Sequence, residues 1–496
     1  MKRTFLLLTL VFFVCELSAQ VRLPVVFGDH MVLQRDKPIV VWGWSSPGEK
    51  VTVQFGKQSK RVTATRDGKW KVALDPVPAG GPHQLIVKGK NTVTIKDVLV
   101  GEVWLCSGQS NMQWIVKNSM DAEKEIAAGD YPRIRHIRIP QTIAATPADD
   151  VKPTSWQICS PETVANFTAV GYFFGRELLK EVDVPIGLIN SSWGGTHVET
   201  WTSREALMSH DEFKSVMANV GKIDLDSAQK AQKDPSKPVS PNAFPTLLFN
   251  GMINPLIPYT IRGAIWYQGE SNASRAYQYR ESFPLMINDW RKRWGLGDFP
   301  FYFVQLSSYN QNNGDSNNGS TWAELREAQT LTLSLPNTGM AVTVDIGDRN
   351  DVHPRNKQEV GRRLAALALD DIYGKDIVSS GPVYKSMKKE GDKIVVSFTD
   401  IGGGLTVKDK YGYLRGFEIA GADKKFYYAQ AHIEGNTVVV YHKDVKDPVA
   451  VRYGWADDAG DCNLFNKEGF PAVPFRSDDW TGITVDKKFN VVRPVQ

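Results

Sequence analysis

The sequence predicts an α/β domain that lies between two β-rich domains. Residues 98–375 alternate apolar strands with helices, a pattern typical of a parallel sheet covered on both faces. Residues 20–97 and 376–496 instead contain short strands separated by turn residues, which favours β-sandwich-like domains. A length of 496 residues exceeds what one hydrophobic core usually supports, so a division into domains is expected.

The elements of each domain follow from particular runs of sequence. Several strands of the central domain end in polar, glycine-rich loops, and ligands of such sheets bind at those carboxyl ends. The polar segment 224–240 is expected to be an exposed excursion. The predicted strands are 39–44, 51–55, 69–74 and 83–87 in the first domain, 98–106, 186–190, 261–267, 300–306 and 339–344 in the second, and 393–398, 437–441 and 449–453 in the third. The predicted helices are 169–180, 277–294, 358–367 and one that includes 325–329.

Residues 1–19 have the layout of a secretory signal peptide. Lys2 and Arg3 precede a short apolar run, and small residues end it at Ala19. Export to the periplasm or the extracellular space is therefore expected. Cys15 raises the alternative of a lipoprotein anchor, which the residues on either side of it disfavour because they are not small.

Composition excludes several classes of protein. A net charge of +4 with no basic block argues against nucleic acid as a partner. No apolar run after residue 19 is long enough to cross a bilayer, so no membrane span is expected. Cys106, Cys159 and Cys462 remain after cleavage, and this odd number leaves at least one free thiol. No cysteine spacing resembles a zinc site.

Ser110 is the candidate nucleophile. It lies in the motif Gly-Gln-Ser-Asn-Met directly after the strand 98–106, where a sharp turn exposes a serine hydroxyl. Gly108 permits the tight backbone geometry of such a turn. Serine is also a favoured helix cap, so this motif alone is a weak signal.

His353 is the candidate base, because a serine is a poor nucleophile until an imidazole takes its proton. It lies in the motif Asp-Val-His-Pro between the fifth strand and the last helix of the central domain. This loop follows a strand and therefore lies at the same edge of the sheet as Ser110. His197 follows another buried strand and is the alternative base.

The loops after the second and third strands offer donors for the negative charge that develops on a carbonyl oxygen during acyl transfer. Gly194 and Gly195 lie in the first of these loops and Gln268 in the second. Ordinary turns explain either loop alone, whereas four strand ends with complementary roles indicate an acyl-transfer site. Such chemistry needs no metal and no organic cofactor.

The motifs Gly-Gln-Ser-Asn-Met, Ser-Trp-Gly-Gly-Thr, Trp-Tyr-Gln-Gly-Glu-Ser-Asn and Asp-Val-His-Pro, in this order, resemble those of the sialate O-acetylesterase family of SGNH hydrolases. The resemblance covers nearly all of the chain after the signal peptide. It implies a three-layer, flavodoxin-like catalytic domain with β-rich accessory domains on either side. It also implies Ser110 as nucleophile, His353 as base, and the Ser110 N–H, an N–H of Gly194 or Gly195 and the Gln268 amide as oxyanion donors.

The acidic member of the site departs from the family pattern. SGNH enzymes commonly carry the acid three residues before the histidine, and that position is Asn350 here. Asp351 is the candidate, because a carboxylate stabilises the imidazolium that forms during attack. Its backbone carbonyl is an alternative acceptor, and the Asp348 carboxylate is a weaker one.

The substrate implied by the resemblance is an O-acetylated carbohydrate, foremost O-acetylated sialic acid. Acetylated plant polysaccharide, such as xylan or pectin, is the alternative substrate, and a non-catalytic carbohydrate-binding protein is the alternative class. Candidate substrate contacts are Trp193, Glu270 and Asn272, with Trp201, Trp266 and Tyr267 as further rings that could stack on a sugar. Candidate partners of a sialate carboxylate are Arg275, Arg280, Arg349 and Arg355.

Overall fold

The computed structural model describes residues 20–232, 234 and 236–489. The predicted signal peptide lies outside the described residues, and so does Cys15. The chain is a mixed α/β protein built around a central mixed sheet. Its strands are β1 (Val32–Gln34), β2 (Ile39–Trp44), β3 (Lys50–Phe55), β4 (Gln58–Thr63), β5 (Lys69–Leu74), β6 (Gly80–Lys88), β7 (Thr92–Gly108), β8 (Tyr131–Arg138), β9 (Trp156–Cys159), β10 (Ile186–Ser192), β11 (Gly263–Tyr267), β12 (Phe301–Val304), β13 (Thr338–Ala341), β14 (Val383–Glu390), β15 (Lys393–Thr399), β16 (Leu405–Val407), β17 (Phe417–Ala420), β18 (Phe426–Tyr428), β19 (Gln430–Glu434), β20 (Thr437–Tyr441), β21 (Ala450–Tyr453), β22 (Leu464–Asn466) and β23 (Phe475–Arg476).

The helices are concentrated between residues 110 and 371. In the part of the chain that the structure describes, no helix has both the length and the apolar character needed to cross a bilayer. The α-helices are α1 (Ser110–Gln113), α2 (Ala122–Ala127), α3 (Ala169–Val182), α4 (Arg204–Ser209), α5 (Asp211–Val220), α6 (Leu225–Lys230), α7 (Ala276–Trp294), α8 (Thr321–Leu331) and α9 (Lys357–Asp371).

The central sheet has the strand order β13-β12-β11-β7-β10-β8-β9. Its neighbouring strands are parallel except for β9, which pairs with β8 in the antiparallel sense. Strands β10, β11 and β12 are buried at every residue, so both faces of the sheet need a cover. Trp104 of β7 packs on Phe174 of α3, and Trp266 of β11 packs on Phe283 of α7. The helices therefore supply a cover on each face.

Strand β7 is the longest strand of the described chain and connects two regions of the fold. Its first half pairs with β6 in the antiparallel sense and with β1 in the parallel sense, and its second half pairs with β10 and β11. The expected domain boundary between residues 97 and 98 thus falls inside a continuous strand. The N-terminal region also contains the antiparallel pair β2–β5, and β3 joins β4 to β6.

The C-terminal region is antiparallel throughout and docks on the central region through a buried arginine. Its sheets have the orders β14-β15-β20-β19, β16-β22 and β18-β17-β21-β23. Arg326 of α8 is fully buried and donates to the carbonyls of Ala456 (2.7 Å) and Asp457 (2.9 Å). One hydrophobic core runs through all three regions.

Each predicted strand and helix is present in the structure, and two of the strands that were not predicted, β4 and β8, have largely polar sequences. Strand β4 alternates half-buried with exposed residues and is mostly polar, so it gives no apolar signal. Strand β8 contains arginines, one of which is buried because Arg135 pairs with Asp97 at 2.6 Å. The excursion at 224–240 includes the short helix α6, whose cap is the Asp224 carboxylate. The three cysteines after residue 19 are all buried free thiols.

Candidate active site

Three loops meet at the carboxyl edge of the central sheet because three strands end side by side. Gly108, the last residue of β7, lies in register with Ser192 of β10 and with Tyr267 of β11. Gly108 has a φ of +133°, and a Cβ built there would lie 2.2 Å from the carbonyl oxygen of Tyr267. This position therefore requires glycine, as the turn before Ser110 predicted.

Ser110 begins the short helix α1 and is half-buried. The turn before it is fixed by Gln109, whose N–H donates to the Tyr267 carbonyl at 2.9 Å. The glycine-rich loop after β10 lies directly against the serine, because a Cβ on Gly194 would be 3.1 Å from the Ser110 Cβ. The structure therefore brings the predicted nucleophile and the predicted Gly-Gly turn together.

His353 lies next to the end of α1, because its ring stacks on Trp114, the residue after the helix, at 5.1 Å with an interplanar angle of 15°. Asn111, the residue after Ser110, donates from Nδ2 to the carbonyl of Val352 at 2.9 Å. The hydrogen bond thus joins the immediate neighbours of the predicted nucleophile and base. Within the described chain no hydrogen bond joins the Ser110 hydroxyl to the imidazole itself.

Asp351 is placed to orient the imidazole. Its Oδ1 accepts the backbone N–H of His353 at 2.8 Å and lies 3.5 Å from the ring Nδ1. The other carboxylate candidate is engaged elsewhere, because Asp348 Oδ1 accepts the N–H of Asn350 at 2.9 Å. Burial lowers the pKa of His353 below its ordinary value, while the Asp351 carboxylate opposes that shift. The imidazole is therefore unprotonated near neutral pH, as a general base must be.

The predicted oxyanion donors have unequal surroundings. The Gly194 N–H donates to Oε1 of Gln113 at 2.7 Å, so a side chain of α1 occupies that donor. In the part of the chain that the structure describes, the backbone N–H groups of Ser110 and Gly195 form no hydrogen bond. Gly195 has a φ of +71° and is exposed.

The Gln268 carboxamide, a predicted oxyanion donor, is buried, and both of its hydrogens are used inside the protein. Nε2 donates to the Thr196 carbonyl at 3.0 Å and to Asn272 Oδ1 at 2.7 Å, and Oε1 accepts from Tyr279 at 2.8 Å. In this arrangement Gln268 fastens the loop after Gly195 and is not available to an oxyanion. No sequence pattern indicates the partners that compete for this amide.

Asn272 also belongs to this buried network and not to an open substrate surface. It is 1% exposed, and its Nδ2 donates to the Glu199 carboxylate at 3.1 Å. The Arg275 guanidinium lies 2.5 Å from the same carboxylate, and this ion pair compensates the buried negative charge of Glu199.

His197, the alternative base, has a pKa that burial lowers, and its Nδ1 is buried without a hydrogen bond in the described chain.

The predicted aromatic contacts separate by burial. Trp201, Trp266 and Tyr267 are fully buried and pack within the core, so they offer no face to a sugar. Trp193 is only partly buried, in the loop next to Ser110, and is the ring of this set that can still meet a ligand. Glu270 is tied to α1, because its Oε1 accepts from Asn111 Nδ2 at 2.6 Å.

The four arginines also differ in availability. Arg280 forms an ion pair with Glu327, and Arg275 forms the ion pair with Glu199 that is given above. Arg355 is exposed and donates to the Asn118 carbonyl at 3.1 Å. Arg349, in the turn before His353, has a side chain that is 63% exposed and lies 3.7 Å from Asp458. Arg349 is therefore the arginine of the histidine loop that is weakly paired.

Sequence reasoning missed three residues that shape the site. Trp114 carries the stacked imidazole, Asn111 links the two loops, and Lys357 donates to Asn111 Oδ1 at 2.6 Å. Asn111 belongs to a motif that was recognised, but the motif assigned it no contact. Lys357 begins an amphipathic helix, where a lysine is ordinarily exposed, so the sequence carried no signal of its burial.

Known carbohydrate esterases resemble this chain over most of its length. The model of the family described as "Carbohydrate esterase, sialic acid-specific acetylesterase" matches residues 100–229 and 247–370. The sialate O-acetylesterase of Mus musculus is 36% identical over an aligned length of 409 residues, with 73% of this chain and 75% of the mouse protein covered. That of Homo sapiens is 34% identical over 410 residues, with 75% of each chain covered.

A solved structure agrees over almost the entire length. The crystal structure of a carbohydrate acetylesterase from Xanthomonas citri has a TM-score of 0.84 and 40% sequence identity, covering 93% of this chain and 100% of that one. Together with the fold, these similarities define a carboxylic ester hydrolase of the carbohydrate esterase class. The chain belongs to the sialic acid-specific acetylesterase family.

The contact at Gly108 predicts a loss of activity without a change in any polar group. Gly108→Ala forces a Cβ against the Tyr267 carbonyl and misplaces the nucleophile turn, so kcat for an aryl acetate should fall about tenfold to a hundredfold. Gly295→Ala is the matched control, because Gly295 also has a positive φ (+64°) but open space around its Cβ. It should lose stability in urea while keeping the rate. Equal rates for both variants would contradict the prediction.

Proposed function

We propose that the chain is a serine esterase that releases acetate from an O-acetylated sugar, with Ser110 as nucleophile and His353 as general base. The observation that carries this proposal is the hydrogen bond from Asn111 to the Val352 carbonyl. It fastens the loops after β7 and β13 together at the residues that adjoin Ser110 and His353. The family membership and the lowered pKa of His353 support the same chemistry.

The reaction has two steps in which the same imidazole moves the proton. With Nδ1 facing Asp351, the ring presents Nε2 to Ser110, takes the hydroxyl proton, and Oγ attacks the acetyl carbonyl. The bond from the carbonyl carbon to the sugar oxygen then breaks, and the imidazolium returns its proton to that oxygen. Water attacks the acetyl-serine by the same route and releases acetate. The described chain shows no hydrogen bond between the Ser110 hydroxyl and the imidazole, so this step requires the two groups to come within hydrogen-bond distance.

Backbone groups beside the serine are the proposed oxyanion donors. The N–H groups of Ser110 and Gly195 are free of protein acceptors in the described chain, and the Gly194 N–H becomes a third donor once Gln113 releases it. Each donor of this kind is typically worth about 3–4 kcal/mol in the transition state. We assign Gln268 to holding the loop that carries these groups, through its hydrogen bond to Thr196.

The proposed substrate is O-acetylated sialic acid, in keeping with the names of the relatives. Arg349 is the proposed partner of the sialate carboxylate, because its side chain is exposed and its ion pair with Asp458 is long. Trp193 is the proposed stacking surface for the sugar ring. Acetylated xylan or pectin is the competing substrate, since acetyl-group chemistry does not depend on the sugar.

We further propose that the central sheet is a three-layer SGNH domain of the flavodoxin-like kind, carrying β-sandwich-like accessory domains before and after it. The parallel run β10-β7-β11-β12-β13 with helices on both faces supports the first part. The antiparallel sheets on either side of it support the second. The signal-like residues 1–19 support export to the periplasm or the extracellular space.

Ser110→Ala should abolish turnover while leaving the fold unchanged. Removing the nucleophile of a serine hydrolase commonly lowers kcat by several orders of magnitude, and about 10⁶-fold is on record for such enzymes. Hydrolysis of an aryl acetate and far-UV circular dichroism measure the two quantities. Ser191→Ala, whose buried hydroxyl donates to the Met252 carbonyl, is a control for serine loss outside the mechanism. Undiminished hydrolysis by Ser110→Ala would remove the serine from the mechanism, and no activity in the wild type would favour a binding protein.

Activity should fall on the acid side as His353 is protonated. Burial lowers the pKa of His353, so kcat/KM should hold through neutrality and decline only below the ordinary imidazole value of about 6.5. The Asp351 carboxylate raises that pKa, so Asp351→Asn should move the acid limb to lower pH and also reduce kcat. Asp348→Asn should leave the limb in place, since that carboxylate faces Asn350. An acid limb that ignores Asp351→Asn would assign the orienting role to the backbone carbonyl.

The identity of the sugar can be tested with one variant. Arg349→Ala should raise KM for O-acetylated sialic acid by about tenfold to a hundredfold, the usual effect of losing a charged hydrogen bond, and leave KM for a neutral acetylated sugar unchanged. Arg355→Ala is the matched control, because Arg355 is exposed in the same loop but turned toward Asn118. Faster acetate release from acetylxylan than from acetylated sialic acid would favour the polysaccharide.

A further inference from the structure

Lys357, the first residue of α9, is 0% exposed although it carries an ammonium group. Its Nζ lies 5.8 Å from the Trp114 ring centroid and 5.3 Å from that of Tyr267. It donates to Asn111 Oδ1 at 2.6 Å. Burying an ammonium group is costly unless it is paired, so this placement needs a compensating role.

The lysine helps to fix which way the Asn111 carboxamide faces. A lysine ammonium can only donate, so it must meet the carboxamide oxygen and not the amide nitrogen. Nδ2 is thereby turned toward Glu270 Oε1 at 2.6 Å and the Val352 carbonyl at 2.9 Å. Without the lysine, the carboxamide oxygen loses its donor, and only the two acceptors on the Nδ2 side, Glu270 and the Val352 carbonyl, still orient the side chain.

The charges around this cluster are few and come from separate elements. Lys357 faces Glu270, from the loop after β11, and Asp351, from the histidine loop. Burial lowers the pKa of Lys357 to about 7, and burial raises the pKa of Glu270. Glu270 Oε2 is buried and has no hydrogen bond in the described chain, so Asn111 is the polar bridge between the two charges.

We propose that Lys357 is a positioning residue for acyl transfer, which it serves by orienting Asn111 so that this carboxamide holds the carbonyl before His353 against the helix that begins with Ser110. The proposal rests on the proposed serine esterase function. Lys357 is sealed behind Trp114 and Tyr267 and touches no substrate; it acts through Asn111.

An electrostatic consequence follows from the same placement. His353 faces Asp351 on its own loop, Lys357 on α9 and the uncharged ring of Trp114, the residue after α1, while Arg355 is turned to the Asn118 carbonyl. Burial contributes most to the lowered pKa of His353, and the charge of Lys357 lowers it further. Removing that charge therefore raises the pKa of His353 and moves the acid limb of the rate profile to higher pH, opposite to the effect of Asp351→Asn.

The test is the full chain carrying Lys357→Met, which keeps the length of the side chain and removes its charge. We expect kcat for an aryl acetate to fall about tenfold to a hundredfold with little change in KM, because the reacting groups and not the binding surface are misplaced. In profiles from about pH 4.5 to 9, the acid limb should move to higher pH. Lys375→Met, in the exposed pair with Glu181 just after α9, is the control and should behave as the wild type.

Two further variants keep the test decisive if Lys357→Met does not fold. Lys357→Arg retains the charge and the donor, so its acid limb should stay at the wild-type position even where kcat falls. Asn111→Leu removes the bridge and keeps the lysine, and it should reduce kcat by a similar factor. A wild-type kcat and an unmoved acid limb in folded Lys357→Met would overturn the proposal.

The outcome is separable from the fate of the proposed function. If Ser110→Ala is inactive and Lys357→Met is indistinguishable from the wild type, the serine mechanism stands and only the positioning role fails. If Ser110→Ala retains activity, the serine mechanism fails whatever Lys357→Met shows.

Discussion

The site depends on the contact between Gly108 and the Tyr267 carbonyl at the end of strand β7. The two backbones come so close that a Cβ would lie 2.2 Å from the carbonyl oxygen, so only glycine fits. Because β10 and β11 flank β7 in register at this residue, the loops that follow all three strands emerge together. The serine turn, the Gly-Gly turn and the Gln-Gly-Glu loop are neighbours for this reason.

Beneath these loops lie two buried polar clusters that hold them in place. One cluster ties α1 to the loop of His353 and consists of Lys357, Asn111 and Glu270. The other ties the loop after β11 to the loop after β10 and consists of Gln268, Asn272, Glu199 and Arg275. A buried charge or amide without partners is expensive, so connected clusters of this kind favour one arrangement of the backbone. The chemistry is carried by few groups, and most polar residues of the motifs position them.

The sequence was most informative where one physical requirement dominated. Strands β10, β11 and β12 are buried on both faces, so their apolar sequences predicted them. Strands β4 and β8 have largely polar sequences and were not predicted. The same distinction applies to the site. The need for glycine at 108 and the order of the motifs could be predicted from the sequence. The hydrogen bonds of the Gln268 carboxamide to Thr196 and Tyr279 could not, because no local pattern connects these residues to it.

The sequence by itself determined the α/β class, the family resemblance and the position of each candidate reactive group after a strand, because these follow from local pattern and strand direction. Only the tertiary structure decided which polar side chains form hydrogen bonds or ion pairs with one another. It buried Lys357 against Asn111, removed Gln268 from the open site and left Arg349 exposed. The physical reason is that desolvation and hydrogen-bond competition depend on neighbours distant in the chain.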